Sequence, residues 1–378
     1  MRVAIDYTAA LNQSAGIGRF VRSLIGALAE LDGENQYLLL HAAPDPGLEP
    51  RFPSGANFSR RRVRFSQRHL DILWHRLGLP LPVNLLTGPI DLFHSPDFVL
   101  PPVRQARTLL TVHDLAFLLY PECADVGLRE YLEKAVPRSV RRADFLVADS
   151  ENTRSDVICL LDVEPQRVEV VPGGVDPAFR PVEDEARLAA LRHRLGVGEP
   201  PFILAVGVIE PRKNHGLLIE AYRVLRDRRK LPHRLVIVGR RGWLWEDIVE
   251  RAESSPYRDD ILFVGFMPEE DLAAMYSAAT VFAFPSLYEG FGLPPLEAMA
   301  CGTPVVVSKT SSLPEVVDQA GLQVDPHDAD ALAAALELLI LDEPLRTDLR
   351  CRGLERAASF TWRSAAEKLL AVYRRLAA

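Results

Sequence analysis

Residues 281–298 read VFAFPSLYEGFGLPPLEA, and this stretch alone indicates the fold class. Its first four apolar residues predict a buried strand, two glycines follow in a loop, and Pro294 and Pro295 stand where a helix begins. A strand that runs through a short loop into a helix is the repeating unit of a parallel sheet with crossover helices. The N–H groups predicted to face an anion at the start of this helix belong to Gly290, Phe291, Gly292 and Leu293.

Two glutamates flank this loop. Glu289 precedes the glycines, and Glu297 lies one turn into the predicted helix, so we expect both carboxylates at the same edge of the sheet. A carboxylate is a bidentate acceptor for neighbouring sugar hydroxyls. One glutamate alone would be an ordinary solvated residue, but the strand, the glycine loop and both glutamates together favour a binding site.

A second charged segment, EPRKN at 210–214, follows the predicted strand FILAV and Gly207. Ligands of parallel sheets bind at the carboxyl ends of the strands. Arg212 and Lys213 suit a diphosphate there, because arginine offers a fork of donors and lysine a point charge. On charge alone a solvated loop would be the simpler interpretation, but the position after a strand favours the binding role.

The remaining sequence repeats short β-branched runs and longer helical patterns in two series. The predicted strands are at 2–6, 36–41, 90–94, 108–112, 144–148 and 168–171 in the first series, and at 202–206, 234–238, 261–264, 281–284 and 304–307 in the second. We therefore predict an α/β protein of two Rossmann-like, doubly wound domains. The predicted parts are an N-terminal domain at 1–178, a linker at 179–200, a C-terminal domain at 201–359 and an amphipathic helix at 360–378.

Composition limits the class of protein. The 378 residues exceed a domain of ordinary size, and 48% hydrophobic with 25% charged residues exclude general disorder. A net charge of -7 argues against nucleic acid as a partner. Four scattered cysteines predict neither a zinc knuckle nor a disulfide framework, so we expect a reducing, cytoplasmic compartment. We also expect no signal peptide and no transmembrane span, because Asp6 interrupts the first apolar run and the other runs are too short.

Further candidates carry weaker signals. Gly16 and Gly18 stand between the first strand and its helix, where glycine lets a backbone approach a ligand, but a plain turn fits equally well. His113 follows the strand TLLTV, and a histidine satisfied in a strand-end hydrogen-bond network is the simpler interpretation for it. Asp149–Ser150 is interpreted as a helix cap. Asp328–Asp330 is interpreted as a helix cap as well, rather than as a metal-binding motif.

Together, the glycine loop, the EPRKN segment and the E-x(7)-E element resemble the retaining glycosyltransferases of family 4, which have the GT-B fold. The resemblance covers most of the chain, including VVPGGVDP at 170–177, VGFMPEEDL at 264–272 and the closing FTWRSAAEKLL. Within the family, the chain is most similar to mannosyltransferases that build bacterial surface polysaccharides. The resemblance implies two domains facing a central cleft, with the C-terminal helix crossing back to the N-terminal domain.

The resemblance also implies roles for the candidate residues. Glu297 would hold the ribose hydroxyls of the nucleotide, and Glu289 and His113 would face the donor sugar. Arg212 and Lys213 would hold the diphosphate and stabilise its charge as the glycosidic bond breaks, which requires no metal. The donor-binding residues that the resemblance adds are Gly16, Gly18, Gly207, Gly290, Phe291, Gly292 and Leu293.

The chain departs from the family pattern at one position. Many relatives carry an arginine just after the glycine that matches Gly207, whereas this chain has Val208. We therefore assign the diphosphate-binding role of that arginine to Arg212, because it is the nearby arginine in the same loop, four residues after Val208.

Residues 60–76, RRRVRFSQRHLDILWHR, contain six arginines and one acidic residue. Leucines and a tryptophan recur beside this charge at helical spacing, at Leu70, Leu73, Trp74 and Leu77. Two explanations fit. Arg60–Arg76 contacts anionic lipid at the inner face of the membrane, near a lipid-linked acceptor, or the segment is an ordinary strand and helix with a solvated basic face.

The leading hypothesis is a retaining glycosyltransferase that moves mannose from GDP-mannose to a saccharide or lipid-linked acceptor in polysaccharide biosynthesis. It needs a nucleotide sugar as substrate and no cofactor. A UDP-sugar donor is the alternative within the same fold. A Rossmann oxidoreductase is a second hypothesis, but Val21 occupies the third glycine position of the dinucleotide fingerprint. A non-catalytic nucleotide-sugar binding protein is a third, and the presence of both glutamates and both cations argues against it.

Overall fold

The computed structural model describes residues 1–13, 16–43 and 51–377. The chain divides into two compact units. The first contains Met1–Leu119, Val126–Gly174 and Thr361–Ala378, and the second contains Tyr120–Asp125 and Val175–Phe360. Each unit is built on one parallel sheet with helices between its strands, so the predicted α/β architecture is confirmed.

The first unit has a seven-stranded sheet. Its strands are β1 (Arg2–Asp6), β2 (Gln36–His41), β3 (Phe58–Arg62), β4 (Leu92–Ser95), β5 (Arg107–Val112), β6 (Phe145–Ala148) and β7 (Val168–Val170). The strand order is β3-β2-β1-β4-β5-β6-β7, and every neighbouring pair is parallel. The order reverses between β1 and β4, and in such sheets ligands bind at the carboxyl ends beside the reversal.

The second unit has a six-stranded sheet with the same kind of reversal. Its strands are β8 (Phe202–Val206), β9 (Arg234–Val238), β10 (Ile261–Gly265), β11 (Val281–Phe284), β12 (Val305–Ser308) and β13 (Leu322–Val324). The order is β10-β9-β8-β11-β12-β13, so the reversal lies between β8 and β11. The central strands are buried on both faces, which explains their continuous apolar sequences.

Helices cover both sheets. In chain order they are α1 (Thr8–Asn12), α2 (Ile17–Leu31), α3 (Gln67–Asp71), α4 (Asn84–Thr87), α5 (Ala116–Leu119), α6 (Val126–Arg142), α7 (Glu151–Leu161), α8 (Glu185–Arg194), α9 (His215–Arg228), α10 (Glu246–Glu253), α11 (Glu269–Ala278), α12 (Leu293–Ala300), α13 (Leu313–Val317), α14 (Ala329–Leu341), α15 (Glu343–Ala358) and α16 (Trp362–Ala377). A π-helical turn at Ile72–Arg76 extends α3. Within the described ranges, no helix combines the length and the apolar character needed to cross a membrane.

The C-terminal helix α16 belongs to the first unit, as predicted. The Trp362 ring packs edge-on against Phe20 of α2, with ring centroids 5.3 Å apart. The Tyr373 hydroxyl lies 2.8 Å from Nδ1 of His94, whose other ring nitrogen is 3.0 Å from the Thr111 hydroxyl. The apolar face of α16 therefore packs into the core of the first unit, whose sheet is formed by the first part of the chain.

The structure corrects the predicted division of the chain. The second unit begins at Val175, and the residues predicted as a linker at 179–200 belong to it. They contain α8, whose Leu188 and Leu191 are buried in the core of the second unit. The charged surface of this helix gave the segment the composition of a linker.

A short segment from the first half of the sequence also belongs to the second unit. Tyr120–Asp125 lies between α5 and α6, which are both in the first unit. The Trp243 indole N–H donates to the carbonyl oxygen of Cys123 at 2.6 Å, and the Tyr120 ring lies 5.9 Å from the ring of Tyr288. Nothing in the sequence pattern predicted this exchange.

Candidate active site

In the second unit, the loops after β8 and β11 carry four charged side chains that form one cluster. Lys213 Nζ donates to Glu289 Oε1 at 2.6 Å, and Arg212 Nη1 donates to Glu289 Oε2 at 3.1 Å. Arg212 Nη2 donates to Glu210 Oε1 at 2.9 Å. Both glutamates are buried and both cations are nearly so, and a buried charge requires this kind of pairing.

The cluster keeps Glu289 ionised. Burial by itself raises the pKa of a carboxylate, but the charges of Lys213 and Arg212 and their hydrogen bonds outweigh it and hold the pKa of Glu289 below its ordinary value. Each oxygen of this carboxylate accepts a hydrogen bond from a cation. Such a group is a poor proton donor and a weak nucleophile, but it can still accept a bond from a hydroxyl.

Asn214 fixes the loop that carries the two cations. It ends the 3₁₀ turn Pro211–Lys213 in the left-handed conformation, with φ of 57°, which asparagine adopts more easily than most residues. Its side-chain amide donates to the carbonyl oxygens of Pro285 at 3.0 Å and Pro326 at 2.7 Å. The loop after β8 is thereby tied to the loops after β11 and β13.

The glycine loop is also held by two serines that stand just before α13. The Glu289 N–H donates to the Ser311 hydroxyl at 3.0 Å, and the Ser312 hydroxyl lies 2.9 Å from the carbonyl oxygen of Glu289 and 2.5 Å from that of Phe291. Gly292 has φ of 122°, a conformation that requires glycine. The loop is therefore rigid before any ligand arrives.

Helix α12 begins at Leu293, where the sequence predicted a helix start. Pro294 and Pro295 carry no N–H, and the Leu296 N–H donates to the carbonyl oxygen of Gly292 at 3.4 Å. The positive end of the helix dipole lies beside the loop that carries Glu289. Glu297, one turn further on, is buried, and Tyr276 of α11 donates its hydroxyl hydrogen to Glu297 Oε2 at 3.2 Å. Gly207, at the end of β8, lies against the Lys213 side chain, 3.5 Å from where a Cβ would stand.

In the first unit, His113 is enclosed by protein acceptors. Its Nδ1 lies 2.7 Å from Asp149 Oδ2, and its Nε2 lies 2.9 Å from the carbonyl oxygen of Pro96. Both partners only accept hydrogen bonds, so both ring nitrogens donate and the ring is cationic. Burial lowers the pKa of His113, but the charges of Asp149 and Asp97 and these hydrogen bonds raise it to about 9.

Gly16, which precedes α2, and Gly18, in the first turn of that helix, are glycines for different structural reasons. Gly16 has φ of 56°, and a Cβ there would meet nothing within 4 Å, so the backbone faces open space. A Cβ on Gly18 would stand 2.1 Å from the carbonyl oxygen of Gln13 and 2.7 Å from that of Ala9. The packing of α2 against α1 and the residue after it therefore requires Gly18, whatever its role toward a ligand.

The structure brings three of the predicted residues, Arg212, Lys213 and Glu289, into direct contact. The sequence analysis placed all three at a diphosphate and a sugar, but it did not predict that the cations pair with the glutamate. It also missed Glu210, although this residue stands inside the EPRKN segment that was singled out, because a glutamate beside an arginine in a loop is usually solvated. Tyr276, 21 residues before Glu297, gave no signal.

The helix-cap interpretations are confirmed in most details. Ser150 accepts from the Thr153 N–H at the start of α7, while Asp149, interpreted as part of this cap, pairs with His113 instead. Asp328 caps α14. Among the residues that the structure describes, no three histidine, cysteine or acidic side chains are grouped as metal ligands would be.

Two family models match the chain. The model for Glycosyltransferase Family 4 matches residues 14–179, and the model for Glycosyl transferases group 1 matches residues 190–356. O-antigen chain mannosyltransferase B of Escherichia coli is 33% identical over 373 residues, which are 96% of this chain and 96% of that protein.

Solved structures share the fold. Sucrose-phosphate synthase from Thermosynechococcus elongatus superposes with a TM-score of 0.77 at 24% identity, over 100% of this chain and 99% of that chain. HepE of Anabaena, solved in complex with UDP and glucose, superposes with a TM-score of 0.74 at 17% identity, over 99% of both chains. These likenesses confirm the GT-B fold. The chain belongs to the glycosyltransferases of family 4, and it is an enzyme that transfers a hexose.

Proposed function

We propose that this enzyme transfers mannose from GDP-mannose to a saccharide or lipid-linked acceptor in polysaccharide biosynthesis, with retention of configuration and without a metal ion. The similarity to a mannosyltransferase over nearly the whole chain supports the choice of sugar. The observation that carries the proposal is the cluster in which Arg212 and Lys213 are paired with Glu289 beside the start of α12. It offers two cations and the positive end of the α12 dipole to one diphosphate.

The cluster suits the charge that develops during transfer. As the bond between the anomeric carbon and the diphosphate oxygen breaks, its electron pair stays on the diphosphate. Arg212 and Lys213 are held in place by Glu289 and Glu210, so they can stabilise this charge with little reorganisation. Preorganised donors of this kind are an efficient means of lowering such a barrier.

Retention is proposed to proceed by a front-face displacement. The acceptor hydroxyl oxygen bonds to the anomeric carbon on the face that the diphosphate leaves, and the proton of the hydroxyl passes to a diphosphate oxygen. Glu289 is not assigned as a covalent nucleophile, because both of its oxygens accept from cations. Its proposed role is to accept a hydrogen bond from a hydroxyl of the donor sugar.

For His113 we propose an electrostatic role beside the donor sugar. Both of its ring nitrogens are engaged by Asp149 and Pro96, so it would act on the sugar through its charge, partly offset by that of Asp149, rather than through a direct hydrogen bond. The rings of Phe20 and Phe98 stand edge-on to the imidazole at 5.3 Å and 5.6 Å. They keep the charge in apolar surroundings, where its field is less screened.

We also propose that this enzyme is cytoplasmic and contacts the inner face of the membrane through Arg60–Arg76. Arginines at both ends of this segment are exposed, and Phe65 is 51% and Leu77 63% exposed beside them. Leu85, a little further along the chain, is 71% exposed. Exposed apolar side chains among arginines match an anionic lipid surface.

Vesicle sedimentation tests this contact. Binding to vesicles that contain phosphatidylglycerol should fall as salt is raised, and Leu77→Asp should weaken it. Leu341→Asp is the matched control, because Leu341 is a 55% exposed leucine of the second unit. Equal binding to neutral phosphatidylcholine vesicles, or an equal effect of both substitutions, would overturn the proposal.

Calorimetric titration with GDP and with UDP, in the presence of EDTA, tests the donor. We expect GDP to bind more tightly. Tighter binding of UDP would retain the enzyme class and overturn GDP-mannose, and binding that requires added Mg²⁺ or Mn²⁺ would overturn the metal-free proposal. NMR of the product formed from GDP-mannose then gives the anomeric configuration, and an inverted product would refute the front-face route.

A further inference from the structure

The Glu297 carboxylate is held in a fixed orientation by a tyrosine from a neighbouring helix. Glu297 lies in α12, four residues after Leu293, so it stands one turn above the start of the helix on the same face. Its side chain is buried. Tyr276 of α11 has no solvent exposure and donates its hydroxyl hydrogen to Glu297 Oε2 at 3.2 Å.

The Tyr276 ring is itself fixed by packing. The rings of Phe282 and Phe179 stand edge-on to it, with centroids 5.3 Å and 6.0 Å away. The Thr303 hydroxyl donates to the carbonyl oxygen of Tyr276 at 2.5 Å, which anchors the backbone of the same residue. A rigid ring with an anchored backbone leaves the phenol oxygen little freedom, so the hydroxyl acts as a fixed donor.

We propose that Tyr276 is a positioning residue that orients the Glu297 carboxylate toward the ribose diol of the nucleotide donor. This inference rests on the proposed function, in which Glu297 binds the ribose. A carboxylate has about four lone-pair directions, so a bond from Tyr276 fixes the plane of the group and leaves it capacity to accept from sugar hydroxyls. Without this bond the carboxylate would lose one of the donors that orient it, and its acceptors would match the two adjacent hydroxyls less well.

The test compares ribose with deoxyribose. The affinities of GDP and 2′-deoxy-GDP, or of UDP and 2′-deoxy-UDP if UDP binds more tightly, are measured by calorimetry for the intact protein and for Tyr276→Phe. The wild-type protein should prefer the ribonucleotide, and Tyr276→Phe should reduce that preference by about tenfold, the usual effect of losing a hydrogen bond to a charged group. Binding of the deoxynucleotide should change little.

The matched control is Tyr222→Phe. Tyr222 is a buried tyrosine of the same unit, and its hydroxyl donates at 2.7 Å to the backbone carbonyl of His233. The same hydroxyl accepts from Arg226 Nη1 at 2.6 Å, so Tyr222→Phe loses two hydrogen bonds, but the ratio of the two affinities should stay at the wild-type value. Equal melting temperatures of the two variants would show that the ratio does not report general destabilisation.

A double substitution tests whether Tyr276 acts through Glu297. Glu297→Gln should reduce the ribose preference, and adding Tyr276→Phe to it should reduce the preference no further. An unchanged ratio in Tyr276→Phe, an equal loss for both nucleotides, or additive effects in the double variant would each overturn the inference. A wild-type protein that binds the ribo- and deoxynucleotide equally would overturn it as well, whereas a preference for UDP over GDP would overturn only the proposed donor.

Discussion

Lys213 Nζ lies 2.6 Å from Glu289 Oε1, although the two residues are 76 positions apart in the sequence. Their side chains are only 13% and 9% exposed, so the pair is shielded from water. Arg212 completes the arrangement by donating to the other oxygen of the same carboxylate. The cations proposed to bind a diphosphate are thus positioned by an anion of the protein itself.

The first prediction concerns the energy of this pair. Glu289→Gln should lower the free energy of unfolding by about 3 kcal/mol, because it removes the anion that pairs with the shielded Lys213. Lys213→Met should lower it by less, because Arg212 still donates to Glu289. The double variant should be more stable than the sum of the two losses implies, with a coupling energy of about 1–3 kcal/mol. Denaturant unfolding of the wild-type protein, the two single variants and the double variant measures this coupling energy.

The control for this double-mutant cycle is the exposed pair Arg223–Asp227 on α9, in which Arg223 Nη1 lies 2.8 Å from Asp227 Oδ2. Its coupling should be no more than about 0.5 kcal/mol, because solvent screens both charges. Equal coupling in the two pairs would show that the burial of Lys213 and Glu289 contributes nothing.

The second prediction concerns transfer. Lys213→Ala and Glu289→Ala should each lower kcat by about 100-fold or more. The first removes a cation that stabilises the charge developing on the diphosphate, and the second removes the proposed acceptor for a hydroxyl of the donor sugar. Lys230→Ala is the control, because Lys230 is an exposed lysine of the same unit. Near-normal turnover of either site variant, measured as mannose release or transfer from GDP-mannose, would refute the site assignment.

The third prediction concerns pH. The pKa of His113 is raised in the folded protein to about 9, from an ordinary value of 6.5. A raised pKa stabilises the folded state fully below the ordinary pKa, and this contribution is lost as the pH rises through about 9. The stability difference between the wild-type protein and His113→Gln should therefore shrink between about pH 6.5 and pH 9.

Asp149→Asn should lower the pKa of His113, because it removes the neighbouring charge. Nitrogen-15 NMR of the imidazole should show two protonated nitrogens at pH 7.5 in the wild-type protein and a loss of one proton at lower pH in the variant. A single protonated nitrogen in the wild-type protein at pH 7.5 would contradict the cationic assignment.

The fourth prediction concerns the attachment of α16. A Cβ on Gly174 would stand 2.3 Å from the Trp362 backbone nitrogen and 2.6 Å from the Thr361 carbonyl carbon, which cannot move aside as a side chain can. Gly174→Ala should therefore destabilise the first unit by about 1–3 kcal/mol. Gly26→Ala, in open space on α2, should stabilise it by about 1 kcal/mol. Thermal unfolding followed by tryptophan fluorescence checks both signs.

Most strands could be predicted from the sequence because buried parallel strands are continuous apolar runs. The strands β1, β2, β8, β9 and β11 have the predicted bounds. β3 was missed because its sequence, FSRRR, has four exposed residues at the edge of the sheet and so lacks an apolar pattern. β13 was missed as well; it is three residues long, and only Val324 in it is buried.

Arg212, Lys213 and Glu289 could be predicted to lie near one edge of the sheet, but the contacts among them could not. Glycines, cations and glutamates after strands indicate a ligand site because the carboxyl ends of parallel strands share one edge. The pairing of His113 with Asp149 was not predicted, because Asp149–Ser150 stands directly before a helix and was interpreted as its cap. The hydrogen bond from Tyr276 to Glu297 was not predicted either, because Tyr276 lies in a different helix, 21 residues earlier in the chain.

The sequence by itself determined the α/β class, the two sheets and the loops that carry the chemistry, because local periodicity and strand-to-helix turns are encoded within a few residues. Only the tertiary structure decided that Tyr120–Asp125 belongs to the second unit and that Lys213 pairs with Glu289. These contacts join residues far apart in the chain. They are selected by the burial of apolar area and the pairing of buried charges, which depend on the whole packed unit rather than on any local pattern.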